Sequence, residues 1–152
     1  RHSTQTMDSA SLSFPVYNPA SGELLTELPV MGRAEAEAAI ARSAAVLPAW
    51  RDGTTATARS NLLRLWSQKI KDQTEQIATI MTLESGKPLA ESRGEVAYAT
   101  SFLDYYAAEA TRSTGAGGGC LVPTPLADAT TGAPRGQIMA IQQAVGTCAM
   151  IW

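Results

Sequence analysis

Few side chains in this 152-residue sequence are of the kinds that make or break bonds, and those present limit the chemistry open to it. The one histidine is His2, and the two cysteines, Cys120 and Cys148, stand 28 positions apart. Ser-His-Asp and Cys-His catalysis need an imidazole held beside the nucleophile, which a histidine in a Ser/Thr-rich terminal stretch does not provide. A zinc site needs several convergent His, Cys or carboxylate ligands, and no Cys-x-x-Cys pair or second histidine is present. No metal ligand set is therefore assigned. Glu91 and Glu95 lie four apart, near Glu84 and Lys87. That spacing suits an acid–base pair and equally a solvated helix face with a Lys87–Glu91 ion pair, which is the preferred reading. Gly115, Gly117, Gly118 and Gly119 before Cys120 invite a phosphate-loop reading. The Gly-x-Gly-x-x-Gly pattern fails here, because position 120 is not glycine and no strand precedes the run, so it reads as flexible linker. Trp50, Trp66, Tyr105 and Tyr106 read as core, and Cys148 as a small core hydrophobe in mid-strand.

Other elements must position whatever these residues do. Residues 1–13 read as an exposed tail, with the stub of a cleaved organellar presequence as the alternative. Phe14–Tyr17 and Leu24–Leu28 flank Asn18, Pro19 and Gly22, a combination that predicts a β-hairpin. From Arg33 the chain is dense in helix formers until Pro48, where a first helix is expected to end. Leu62, Leu63, Trp66 and Ile70 recur at three- and four-residue steps and predict the inward face of a second helix, with Arg64, Gln68 and Lys71 in solvent. Asp72 with Glu75 reads as the N-cap of a third helix, which carries Ile77, Ile80 and Met81 inward and stops near Gly86. Pro88 opens a fourth, whose apolar stripe is Val96, Ala99, Phe102, Leu103, Tyr106 and Ala110. The glycines and prolines of residues 113–134 predict a linker without regular structure. Gln137–Gln143 then alternates like a half-exposed strand, and Val145–Trp152 reads as a strand buried on both faces.

Composition excludes several classes. With 45% apolar residues and a net charge of −2 the chain is not a disordered tail, and a pI near 5.4 gives no electrostatic case for nucleic acid or anionic lipid. Apolar runs are far short of the roughly 20 residues that cross a bilayer, so a soluble protein is expected, with no membrane partner. Cysteine usage fits a reducing compartment. A start at Arg1 and a stop at Trp152 inside an apolar run predict a piece of a longer domain.

Several segments, in order, resemble the N-terminal part of the aldehyde dehydrogenase superfamily. They are Val16-Tyr-Asn-Pro-Ala-Ser-Gly-Glu23, Pro48-Ala-Trp-Arg51, Thr57-Ala-Arg59 with its following leucines, and Thr82-Leu-Glu-Ser-Gly-Lys-Pro-Leu-Ala-Glu91. Phe102-Leu-Asp-Tyr-Tyr-Ala-Ala-Glu109 and Gln143-Ala-Val-Gly146 complete the set, and the Glu84–Pro88 block is the most specific. Glu84–Glu95 and Gly136-Gln-Ile138 are most similar to the succinate-semialdehyde dehydrogenase branch. Ala144, Thr147 and the glycine run with Cys120 depart from the family pattern.

The resemblance implies an α/β fold: the hairpin and outer helices of a Rossmann-like cofactor-binding domain at 14–113, after the tail at 1–13. A linker and one strand of a β oligomerisation arm follow at 114–143, then the first part of a sheet strand at 144–152, so the domain is incomplete. It implies oxidation of an aldehyde, here succinate semialdehyde from 4-aminobutyrate breakdown, through a cysteine thiohemiacetal and hydride transfer to NAD or NADP. The family's nucleophilic cysteine, general-base glutamate, ribose-binding lysine, oxyanion asparagine and substrate arginine all fall beyond Trp152. The resemblance therefore assigns no catalytic residue to the chain, which by itself is expected to be inactive and to bind no cofactor. Ile151 matches a position lining the cofactor cleft, and Val16, Tyr17 and Glu95 match a monovalent-cation site of some relatives. Implied partners are a small aldehyde and further copies of the same subunit, in the cytoplasm or the mitochondrial matrix. The alternative is a non-catalytic truncated relative whose strand 137–143 pairs with a full-length enzyme.

Overall fold

The computed structural model describes residues 12–112 and 119–151. His2, the rest of the N-terminal tail through residue 11, and the glycines at 115, 117 and 118 lie outside the described residues.

The hairpin forms as its turn residues dictate. Strands β1 (Ser13–Tyr17) and β2 (Leu24–Pro29) pair antiparallel with Val16 opposite Thr26, and the register shifts before Tyr17 meets Leu24. Asn18 Oδ1 accepts from the Ala20 and Ser21 amides at 2.9 and 3.4 Å, while Gly22 takes φ +73°.

Helix α1 spans Arg33–Gly53 and runs through Pro48, so the expected end at that proline is corrected. A proline costs one amide donor and crowds the preceding turn, which bends or weakens a helix without having to end it. Strong helix formers on the N-terminal side and Trp50–Gly53 beyond carry the helix on, and it stops where Thr54 turns extended. No residue of α1 is buried, so it is held by its own backbone and end contacts. At its start the Gly32 amide donates to Glu35 Oε2 at 2.8 Å.

Helices α2 (Ala56–Asp72), α3 (Thr74–Ser85) and α4 (Leu89–Glu109) form the packed part of the chain, with α4 lying against both others. Thr55 caps α2 by accepting from the Ala58 amide at 3.1 Å. Asp72 does not cap α3: it remains in α2 and accepts from Gln68 Nε2 at 2.8 Å, while Gln73 occupies the junction with no side-chain cap. The two helices run nearly end to end, which leaves no extended residue for an N-cap at 72. Gly86 ends α3 at φ +75°, its amide on the Thr82 carbonyl, and a Cβ there would sit 3.0 Å from Pro19 Cγ of the hairpin turn. Pro88 precedes α4, and its carbonyl accepts the Glu91 and Ser92 amides.

The faces these helices share differ from the expected apolar stripes. Buried positions are Ser60 and Ser67 on α2, Ala78 on α3, and Ser92, Val96, Thr100 and Ala107 on α4. Leu62 and Trp66, expected inward, are exposed, Trp66 at 58%, and so are Ile80, Phe102 and Tyr106. Small side chains let the helix axes approach, and hydroxyls satisfy one another in the seam. Ser60 Oγ donates to the Ala107 carbonyl at 2.6 Å, and Thr82 Oγ1 lies 2.9 Å from Ser92 Oγ. Bulky side chains are thereby displaced to the flanks. Exposed ion pairs clamp the rims, Lys71 to Asp104 at 2.6 Å and Arg93 to Glu75 at 2.7 Å.

After α4, strand β3 (Gly119–Pro123) pairs antiparallel with β4 (Gln137–Ile141), Leu121 opposite Met139. The irregular linker expected over 113–134 thus contains a strand. Pro123 is tolerated at the end of a two-stranded ribbon, where no further ladder bond is required of it. Gly119 is needed for pairing, since a Cβ there would meet the Ala140 carbonyl oxygen at 2.5 Å. β4 agrees with the expected strand but is exposed along its whole length. Residues 142–151 form no regular structure, and Val145 is 94% exposed, which corrects the strand expected to be buried on both faces. Such a strand needs partners beside it and layers above and below, and the described residues offer neither. Cys148 is likewise exposed rather than core.

Candidate functional site

A concavity of about 950 Å³ opens between the α1–α2 corner and the segment leaving β4. One wall carries Trp50, Arg51 and Asp52 from the last turn of α1 and Arg59 from the first turn of α2, and the other Gln142, Gln143 and Ala144. The corner is built from local bonds. Thr54 leaves α1 in an extended conformation and donates from Oγ1 to the Trp50 carbonyl. Arg59, half-buried, donates from Nη1 to the Thr54 carbonyl at 2.6 Å and lies 3.1 Å from Thr54 Oγ1.

Charge in the cleft is largely answered. Arg51 grips Asp52 with both ends of its fork, Nε to Oδ1 at 2.7 Å and Nη2 to Oδ2 at 2.8 Å. That hydrogen bond holds the Asp52 carboxyl below its ordinary value and raises the Arg51 guanidinium. Arg59 is left as the excess positive charge. The lining includes no thiol, imidazole or unpaired carboxylate, so the cleft offers recognition of an anionic or amide group but neither a nucleophile nor a base. Trp50, expected in the core, lines this cleft and is exposed. The walls are more than 80 positions apart in the sequence, and no local pattern signals their meeting.

The residues singled out by resemblance fall in two other places. Val16 is half-buried and Tyr17 exposed on β1, and the hairpin turn meets the α3–α4 corner where Pro19 abuts Gly86. Glu95, in the second turn of α4, receives the Lys87 ammonium. The ion pair expected between Lys87 and Glu91 is thus made to Glu95. Lys87 precedes the helix, so helical i,i+4 geometry does not govern its reach. With a resident ammonium on its carboxylate, Glu95 is not an open oxygen ligand. Ile151 is 96% exposed at the end of the irregular segment, away from regular structure. Among the described residues no group of three or more His, Cys, Asp or Glu side chains converges as a metal site would.

Comparison with known proteins supplies what the isolated geometry does not. The family model described as "Aldehyde dehydrogenase family" matches residues 6–152. The chain is 41% identical over 137 residues to a glutarate-semialdehyde dehydrogenase of Pseudomonas aeruginosa, covering 90% of this chain and 26% of that protein. It is 45% identical over 100 residues to the NADP(+) succinate-semialdehyde dehydrogenase of Escherichia coli, covering 66% of this chain and 20% of the relative. The crystal structure of succinate-semialdehyde dehydrogenase from Burkholderia pseudomallei superposes with a TM-score of 0.69 at 40% identity, covering 78% of this chain and 24% of that one. The chain therefore spans about a quarter of the length of these relatives. With a matching family model across nearly all of its residues, an α/β fold shared with solved members and the Glu84–Pro88 motif on the α3–α4 corner, the chain belongs to the aldehyde dehydrogenase family.

Proposed function

We propose that these 152 residues are the N-terminal part of an NAD(P)-dependent aldehyde dehydrogenase that oxidises a short semialdehyde bearing a distal carboxylate, succinate semialdehyde first. The observation that carries this reading is the recurrence of succinate- and glutarate-semialdehyde dehydrogenases among relatives sharing 38–47% of their aligned residues with it. NAD(P) supplies a hydride acceptor in such an enzyme. Ile151, proposed to line its cleft, offers a planar ring only van der Waals contact. One aliphatic contact among the described residues does not by itself make a cofactor site, and no step is derived through it. Within this reading the part of the chain is architectural: the α2–α3–α4 layer supports the domain, and residues 144–151 lead toward the cofactor. Domain limits at 14–113, 114–143 and 144–152, and inactivity of the chain alone, belong to the same proposal. So does a cytoplasmic or mitochondrial-matrix location. The described residues contain no helix long and apolar enough to cross a membrane. The cation site of Val16, Tyr17 and Glu95 is proposed only in a form where Lys87 releases Glu95.

The exposed ribbon supports self-association. Its edges carry unpaired backbone groups, and Leu121, Val122, Ile138, Met139 and Ile141 are exposed on it. We propose that it pairs with another subunit of the same protein. The same ribbon favours the second reading, a non-catalytic partner of a full-length enzyme.

A substrate comparison tests the primary reading. A full-length protein carrying this chain should have a higher kcat/KM for succinate semialdehyde than for butanal by at least about tenfold, because a site built for a carboxylate is left with an unpaired buried charge by the neutral aldehyde. Equal values would overturn the substrate class. Oxidation of neither, with stable capture of an active aldehyde dehydrogenase, would favour the second reading.

A further inference from the structure

We draw no further inference here: the strongest candidate, the exposed aromatic face of helix α4 formed by Tyr98, Phe102, Tyr105 and Tyr106, carries none because nothing in the structure shows what covers it.

Discussion

Gly86 holds two constraints at one residue. Its φ of +75° is costly for any side chain with a Cβ, by about 1–2 kcal/mol, and the added atom would press on Pro19. Gly86→Ala should therefore lower the unfolding free energy of the helical layer in urea, whereas Gly94→Ala, inside α4 with no atom from outside its own helical turn within 4 Å of the new Cβ, should raise it by about 0.5–1 kcal/mol. Equal effects of the two would show that the α3–α4 corner is not held as described. Ser60 is a second such position. Its hydroxyl answers a carbonyl in the last turn of α4, so Ser60→Ala should cost about 1–2 kcal/mol in equilibrium unfolding although it removes a single oxygen. Asp128 carries a local pH dependence. Backbone amides of Thr131 and Thr130 at 2.9 Å, with the Thr131 hydroxyl, hold its carboxyl below the ordinary value. A carboxyl lowered by folding stabilises the fold above its unfolded pKa of about 3.9, and that contribution is lost as pH falls through the lower folded value. Amide protection of Thr130 and Thr131 should thus be level from neutral pH to about 5 and decline below about 4, and Asp128→Ala should abolish it at every pH.

Among the elements, α1 stands apart. None of its residues is buried, so its stability is local and should not propagate to α2, α3 and α4. Pro48→Ala should restore an amide donor and stabilise α1 by up to about 3 kcal/mol, seen as slower amide exchange between Ala44 and Asp52. The unfolding midpoint of the other helices should stay unchanged; a parallel shift of both would mean that α1 is coupled to the layer. What could be read from the sequence divides on the same physical line. Turn and boundary residues act locally, so the Asn18–Gly22 hairpin, the stop at Gly86 and the start after Pro88 follow from their own chemistry. Packing faces are decided between elements. Leucine and aromatic periodicity points Leu62, Trp66 and Phe102 inward, but of the expected α4 stripe Val96 is buried, and the seam is otherwise lined by Ser60, Ser67, Ser92, Thr100 and alanines, whose small side chains carry little hydropathic signal. Strand β3 was hidden by neighbouring glycines and prolines because its pairing with β4 is long-range, and the two-sided burial expected of Val145–Trp152 depends on layers absent from the described residues.

At the scale of the whole molecule, the candidate site was only partly readable. The family motifs lie on elements the structure forms, the Glu84–Pro88 block at the α3–α4 corner and Pro48–Arg51 at the α1–α2 corner. The cleft between Arg59 and Gln142–Ala144 was not readable, since nothing in either segment encodes the other. Among the described side chains both cysteines are exposed, and Arg51, Lys71, Lys87 and Arg93 each neutralise a neighbouring carboxylate. Under the proposed function, a chain that aligns with about a quarter of an oxidoreductase is expected to work only as part of a larger polypeptide. The decisive measurement is steady-state NAD(P)H formation from succinate semialdehyde by a full-length protein that begins with this chain, beside the purified 152-residue chain at equal concentration. Robust turnover by the former and none by the latter is the expected result. Turnover by the isolated chain, or a folded full-length protein that reduces neither NAD nor NADP with any semialdehyde, would contradict it.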